Sequence, residues 1–148
     1  CQAPVHMPLQ PVLSHLFQNK EDLSSCAVYT TGRVPVDMMD STFYRCSELK
    51  IAPEIPTTVK DMDNTFYLCT NLTTASTIPN GVESLISTYS DCESLTGDLI
   101  INANPISYYY CLDYAAINEG TNLKLSGTSA MLNEILNTKS ENSNISLK

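Results

Sequence analysis

The chain has 148 residues, 43% of them hydrophobic, enough for one domain or one array of small units to build a core. Eight Lys and Arg against 16 Asp and Glu leave a formal net charge of −8. That balance speaks against nucleic acid, whose binding needs a basic face, and against docking on an anionic membrane surface. No apolar run approaches the ~18 residues of a spanning helix, so membrane insertion is not expected.

The chain opens at Cys1 rather than Met and carries no secretory signal, which reads as a processed or truncated product. Cys1 suits a lipid-modified anchor and a cloning boundary equally. Residues 1–35 are expected to hold a degenerate capping unit. Leu13 and Leu16 keep the first two apolar phases of the repeat that follows, Cys26 falls in its leucine phase, and Val34-Pro35 slips by two.

From residue 36 a period of 23 residues sets in. Val36, Val59 and Val82 share one phase, and Met39, Met62 and Leu85 the next. Phe43, Phe66 and Tyr89 follow, then Cys46, Cys69 and Cys92, then Leu49, Leu72 and Leu95, and finally Ile55, Ile78 and Ile101. Between 36–58 and 59–81, 11 of 23 positions are identical, and between 59–81 and 82–104, 6 are. Val59, Met62 and Phe66 fall at i, i+3 and i+7, a spacing that predicts a helical turn with one buried face. Alternation in Leu49-Lys50-Ile51 predicts a short strand, and Ile-Pro with Asn80-Gly81 closes the unit. Such a unit cannot bury its apolar side alone, but stacked neighbours bury it for each other. The expected fold class is therefore an α/β repeat: a solenoid of short parallel strands and short helices with helical caps.

The pattern V-x-x-M-x-x-T-F-Y-x-C-x-x-L…I-P, carried by Val59 to Pro79 and nearly as well by Val36 to Pro56, resembles the BspA-like leucine-rich repeats of bacterial and protist surface proteins. The resemblance spans Val34 to Leu125, with residues 36–125 as the repeat domain. It implies a leucine-rich-repeat solenoid on a cell-surface or secreted protein, with adhesion or ligand binding as its role.

Beyond the third repeat, Gly120 to Leu123 (GTNL) echoes Cys69 to Leu72 (CTNL). The Cys92–Gly120 spacing of 28 then implies five extra residues, expected as a longer helix through Tyr108 to Ile117. Residues 126–148 read as a C-terminal capping helix and tail. Thr128 or Ser129 would cap a helix whose stripe is Met131, Leu132, Ile135 and Leu136. The stretch Ser140 to Lys148 reads either as disordered or as a last strand through Ile145 and Leu147.

Six cysteines invite a disulfide framework. Cys46, Cys69 and Cys92, however, share one column, where parallel rungs at ~5 Å do not offer disulfide geometry. They are expected as buried thiols, and Cys111 as core. No C-x-x-C or C-x-x-H spacing suggests a metal. Asp61 to Asn64 begins like a calcium loop, but Phe66 occupies the position that needs Gly. His6 and His15 precede the repeats and read as surface or cap residues, and Asp37, Asp40, Asp61 and Asp63 as a solvated face of the repeat helices. No catalytic residue, metal or cofactor is expected, and the chain is expected not to be an enzyme.

On the predicted strand face, the residues flanking the leucine column form a polar strip: Glu48, Lys50, Asn71, Thr73, Ser94, Thr96, Asn122 and Lys124. They are the candidate ligand-binding residues, for a host or matrix protein or a glycan. A second candidate is the set Tyr44, Tyr67, Tyr108, Tyr109 and Tyr110, since tyrosine is favoured at interfaces. Asn71-Leu72-Thr73 and Asn144-Ile145-Ser146 match the glycosylation sequon, which matters for a eukaryotic source alone. The alternative to an interaction module is a structural spacer or stalk of a larger surface protein, with no ligand of its own.

Overall fold

The computed structural model describes residues 5–6, 13–24, 26–27 and 36–148, the backbone alone at 5–6 and 26–27. Cys1 and Val34-Pro35 lie outside the described residues, as do the side chains of His6 and Cys26. Two short strands, β1 (Val5–His6) and β2 (Cys26–Ala27), pair in parallel. Near the other end, β3 (Gly97–Ile100), β4 (Leu123–Ser126) and β5 (Ile145–Leu147) form a parallel sheet in that order. Gly97 lies opposite Leu123, and Leu123 opposite Ile145. Among the described residues one helix, α1 (Leu132–Leu136), has five residues, and almost everything else is turn and coil.

The expected α/β leucine-rich-repeat solenoid with helical caps is thereby overturned. No helix covers Val59 to Phe66, nor Tyr108 to Ile117, and the strands expected after Leu49 and Leu72 reduce to an isolated bridge, Ile51 to Thr74. The backbone supplies the reason. Left-handed residues recur in pairs: His15 and Asn19, Ser41 and Arg45, Asn64 and Leu68, Ser87 and Asp91, Tyr110 and Tyr114. A left-handed residue every fourth position interrupts a right-handed helix. Five turn segments result, at 14–19, 40–45, 63–68, 86–91 and 109–116.

Their amide groups divide between two partners. In the third segment Thr65 N donates to Met62 O (3.1 Å) and Cys69 N to Phe66 O (3.0 Å), within the segment. The residues between them turn outward to the fourth: Asn64 N donates to Ile86 O (2.8 Å), Phe66 N to Thr88 O (3.0 Å) and Leu68 N to Ser90 O (3.0 Å). Buried backbone groups must all be paired, and this alternation pairs them without helix or sheet. After the fifth segment, hydroxyls take over as acceptors. Leu112 N donates to Thr138 Oγ1 (3.0 Å) and Tyr114 N to Ser140 Oγ (2.9 Å).

The core is one cluster running through all segments. Phe17, Phe43, Phe66 and Tyr89 stack ring on ring at 5.7, 5.5 and 5.5 Å. Cys46, Cys69, Cys92 and Cys111 are free, buried thiols. Cys69 Sγ donates to Phe43 O (3.1 Å) and Cys92 Sγ to Phe66 O (3.0 Å). A column of buried threonines runs alongside. Thr65 Oγ1 lies 2.9 Å from Met39 O and 2.7 Å from Met62 O, its one proton shared between two segments; Thr42 Oγ1 is shared likewise between Leu13 O and Met39 O, and Thr88 Oγ1 donates to Met62 O of the preceding segment (2.9 Å).

The register at both ends also departs from expectation. Leu13 N bonds Met38 O and Phe17 N bonds Thr42 O, which aligns Leu13 with Met39 and Phe17 with Phe43, 26 residues apart rather than 23. Leu13 thus holds the methionine phase, not the valine phase. At the far end the interval stays 23 through Tyr114, since Ser87 and Asp91 recur as Tyr110 and Tyr114. It then lengthens to 26 at the Gly97–Leu123 pair. Three residues are inserted rather than five, and they form turn rather than helix. Leu123 consequently aligns with Gly97, not with Leu95.

The C-terminal helix is present but short. Its N-cap is Met131, without a side-chain cap bond, although Ser129 Oγ accepts from Met131 N (3.0 Å). Only Ile135 of the expected stripe is buried; Met131, Leu132 and Leu136 pack partly against the core. The tail forms β5.

Candidate functional site

The polar strip lies on coil and turn leading into the bridges, not on strand faces, save Lys124 on β4. The structure sorts it into two rows. Glu48, Asn71 and Ser94 form the first, and Lys50, Thr73, Thr96 and Asn122 the second. Most of their polar atoms are used between neighbouring segments. Asn71 Nδ2 donates to Ser47 O (2.8 Å), and Ser94 Oγ to Thr70 O (2.7 Å). Thr73 Oγ1 donates to Lys50 O (3.1 Å), and Asn122 N to Thr96 Oγ1 (3.1 Å). Asn118 extends the first row by donating to Ser94 Oγ (3.1 Å), at the same 24-residue interval as Asn71 to Ser47. Lys124 stands apart, across from Asp98 and Ser146, with its Nζ 2.6 Å from Ser146 Oγ. Glu48 and Lys50 are exposed, and Asn71 Nδ2 also lies 3.5 Å from Glu48 Oε1. In the sequons, Leu72 is buried and both Asn71 and Asn144 use their amides in bonds to neighbouring segments.

On the loops beyond the bridges runs an open groove of about 750 Å³, which the sequence did not suggest. Ala52, Ile55 and Pro79 supply apolar lining, and Glu54, Thr57, Thr77 and Asn80 polar groups. Across it, Asn102 Oδ1 accepts from Thr128 N (3.0 Å).

The acidic residues are not the uniformly solvated face expected. Asp37 is exposed, but Asp40, Asp61 and Asp63 are half-buried and bonded. Asp40 pairs with His15 (3.5 Å) and accepts from Ser14. Asp63 Oδ1 accepts from Ser84 Oγ (2.5 Å) and Ile86 N (2.9 Å). Asp61 Oδ1 accepts from Asp63 N (2.8 Å); burial, then the neighbouring Asp63 and Asp40 carboxylates, hold the Asp61 carboxyl above its ordinary range against that bond.

The tyrosine set divides. Tyr44 and Tyr67 are half-buried and meet edge to face at 5.2 Å, covering the core edge. Tyr108 packs partly against the core, while Tyr109 and Tyr110 are 66% and 65% exposed. Sequence reading missed Ile106, 82% exposed just before the fifth turn segment, and Tyr114, 49% exposed within it. The backbone, not the sequence, exposes the reason: Tyr110 and Tyr114 take the left-handed positions that Ser87 and Asp91 take one segment earlier.

Among the described residues no helix is long and apolar enough to cross a membrane, and no group of three or more His, Cys, Asp or Glu is placed to hold a metal ion. Compared with known proteins, the chain matches no family model, no curated protein and no solved structure.

Proposed function

We propose that the chain is a non-enzymatic interaction module of a cell-surface or secreted protein, acting in adhesion or ligand binding through its repeat surface, with a protein or glycan as partner. The observation that carries this reading is the exposure of Ile106, Tyr109, Tyr110 and Tyr114 along one stretch of the chain, in and just before the fifth turn segment. Contiguous exposed apolar and aromatic side chains rimmed by polar ones mark interaction sites. The resemblance of residues 34–125 to BspA-like repeats of surface proteins supports the same reading from the sequence.

A second reading, a spacer with no ligand of its own, is favoured by the polar strip. Side chains that satisfy a neighbour's backbone serve the stack first and have less left to offer a ligand.

Protein and glycan arrays probed with the purified chain test both. The interaction reading expects binding that Tyr109→Ser with Tyr110→Asn and Tyr114→Asn abolishes. The strip variant Asn71→Ala, Thr73→Ala, Ser94→Ala, Thr96→Ala should keep it. Absence of binding to every arrayed protein and glycan removes this reading in favour of the spacer.

A further inference from the structure

Beside the exposed tyrosines lie two carboxylates without a cationic partner. Asp91 N donates to Asp113 O and Ser87 N to Tyr109 O, each at 2.8 Å, so the fourth and fifth segments run side by side and bring Asp91 and Asp113 to one edge. Among the described residues the ion pairs are His15–Asp40 and Lys148–Asp98, and neither involves this edge. Asp113 accepts from Ser140 Oγ (2.8 Å) and Asp91 from Ser90 Oγ (3.3 Å). Lys139, next to Ser140 in the chain, turns its Nζ to the Ser140 carbonyl at 3.4 Å. Burial, and then the Asp113 carboxylate, push the Asp91 carboxyl upward against its Ser90 bond, so the two acids feel each other.

We infer that this edge docks an arginine- or lysine-bearing segment of a partner protein, the cation resting on the faces of Tyr110 and Tyr114 within reach of Asp91 and Asp113. The inference rests on the interaction reading above and names its partner chemistry. Tyrosine faces attract cations through the ring quadrupole. Unpaired carboxylates add direct attraction, and the net charge of −8 steers a basic partner inward. A neutral glycan would use the rings and could donate hydroxyls to the acidic pair but would gain no charge attraction, and an anionic partner would be repelled.

The test is titration calorimetry of the intact chain with hexa-arginine, hexa-lysine, hexa-glutamate and maltohexaose. Hexa-arginine should bind, more weakly as salt rises. Binding should weaken about tenfold in Tyr110→Asn with Tyr114→Asn, where asparagine tolerates the left-handed backbone, and similarly in Asp91→Asn with Asp113→Asn. Glu21→Gln with Asp37→Asn, both exposed and outside the strip and the groove, removes the same charge elsewhere and should leave binding unchanged. Melting curves check that all three variants fold. Equal weakening in the Glu21 and Asp37 variant overturns the inference, because diffuse charge would then explain the binding. Tyrosine-dependent binding of maltohexaose in place of hexa-arginine also overturns it while leaving the interaction reading intact. If no probe binds but the arrays give tyrosine-dependent partners, the inference falls alone; if the arrays too are empty, both fall.

Discussion

Phe66 and Tyr89 stack with ring centroids 5.5 Å apart and planes within 10°, yet Tyr89 carries a hydroxyl that is sealed in the core without a hydrogen-bond partner. Phenylalanine fills this column in the three preceding segments, so the ring alone satisfies the packing. A buried, unpaired hydroxyl costs desolvation that nothing offsets. Tyr89→Phe should therefore be neutral or stabilise by up to about 1 kcal/mol. Phe66→Ala, which opens a void in the middle of the stack, should cost about 3–5 kcal/mol. Urea unfolding of both variants checks the contrast, and a clear loss in Tyr89→Phe would reveal a partner for the hydroxyl.

Gly127 is required by both its conformation and its surroundings. Its φ is +124°, and a Cβ there would stand 2.2 Å from the Ile101 carbonyl oxygen. The close approach serves a junction at which Ile101 N donates to Ser126 O (2.8 Å) and Ser129 N to Ile101 O (3.1 Å). Neither partner is a flexible side-chain end, so the backbones must separate. Gly127→Ala should cost about 3 kcal/mol. Gly97 and Gly120 are left-handed too, but open space surrounds them. Their alanine variants should cost about 1 kcal/mol, the left-handed penalty alone. Thermal melts of the three variants separate strain from collision.

The inward columns were legible in the sequence because burial repeats wherever the backbone repeats. Val59, Met62, Phe66, Cys69 and Leu72 are all fully buried, as are Leu85, Tyr89, Cys92 and Leu95. The conformation joining them was not legible. An inward spacing of i, i+3, i+7 fits a helix, and it fits equally a chain of turns with a left-handed residue every fourth position. Asn19, Asn64 and Asp91 hinted at the second, since Asn and Asp are the ordinary residues most often left-handed. Arg45, Leu68 and Tyr114 in the same places blur that hint. Register at the ends was lost where the cysteine column stops. Phe17 to Phe43, 26 residues apart, carried it at the N-terminal end. Of the site, the sequence showed which side chains were polar but not that their bonds run to the next segment. The Tyr114 position became visible only once the left-handed pairs were seen.

Asp61 should make stability depend on pH. Burial holds its carboxyl above the ordinary 3.8, the Asp63 N–H opposes this, and the carboxylates of Asp63 and Asp40 add to it. Asp91 is raised in the same way by burial and Asp113. A carboxyl raised in the folded state keeps its proton to higher pH than in the unfolded chain. Its effect is therefore a loss of stability as pH rises from the unfolded value through the folded one. Asp61→Asn keeps an acceptor oxygen for Asp63 N and removes the charge. It should melt higher than the native chain at neutral pH, and the difference should fade by about pH 4. Melting curves across that range decide it, and a native chain that melts higher at neutral pH would show that the carboxylate is needed there.

The four buried thiols should be inert while the chain is folded and reactive once it unfolds. Burial pushes the Cys46 and Cys111 thiols up to about 12, and raises Cys69 and Cys92 well above 9.0. Alkylation needs the thiolate, so at pH 8 each thiol is held back both by its protonation and by the absence of solvent around it. The Sγ–H of Cys46, Cys69 and Cys92 is also committed to a phenylalanine carbonyl of the preceding segment. Iodoacetamide at pH 8, with labelling read residue by residue by mass spectrometry, should leave these four unmodified in buffer and modify all of them in strong denaturant. Cys46 donates its Sγ–H to Phe17 O of the first turn segment, so it should be the first to react as denaturant is added if that end frays first. Rapid labelling of Cys69 or Cys92 in buffer would mean that the stacked segments part on their own, and the ring stack above them would then have to open as well.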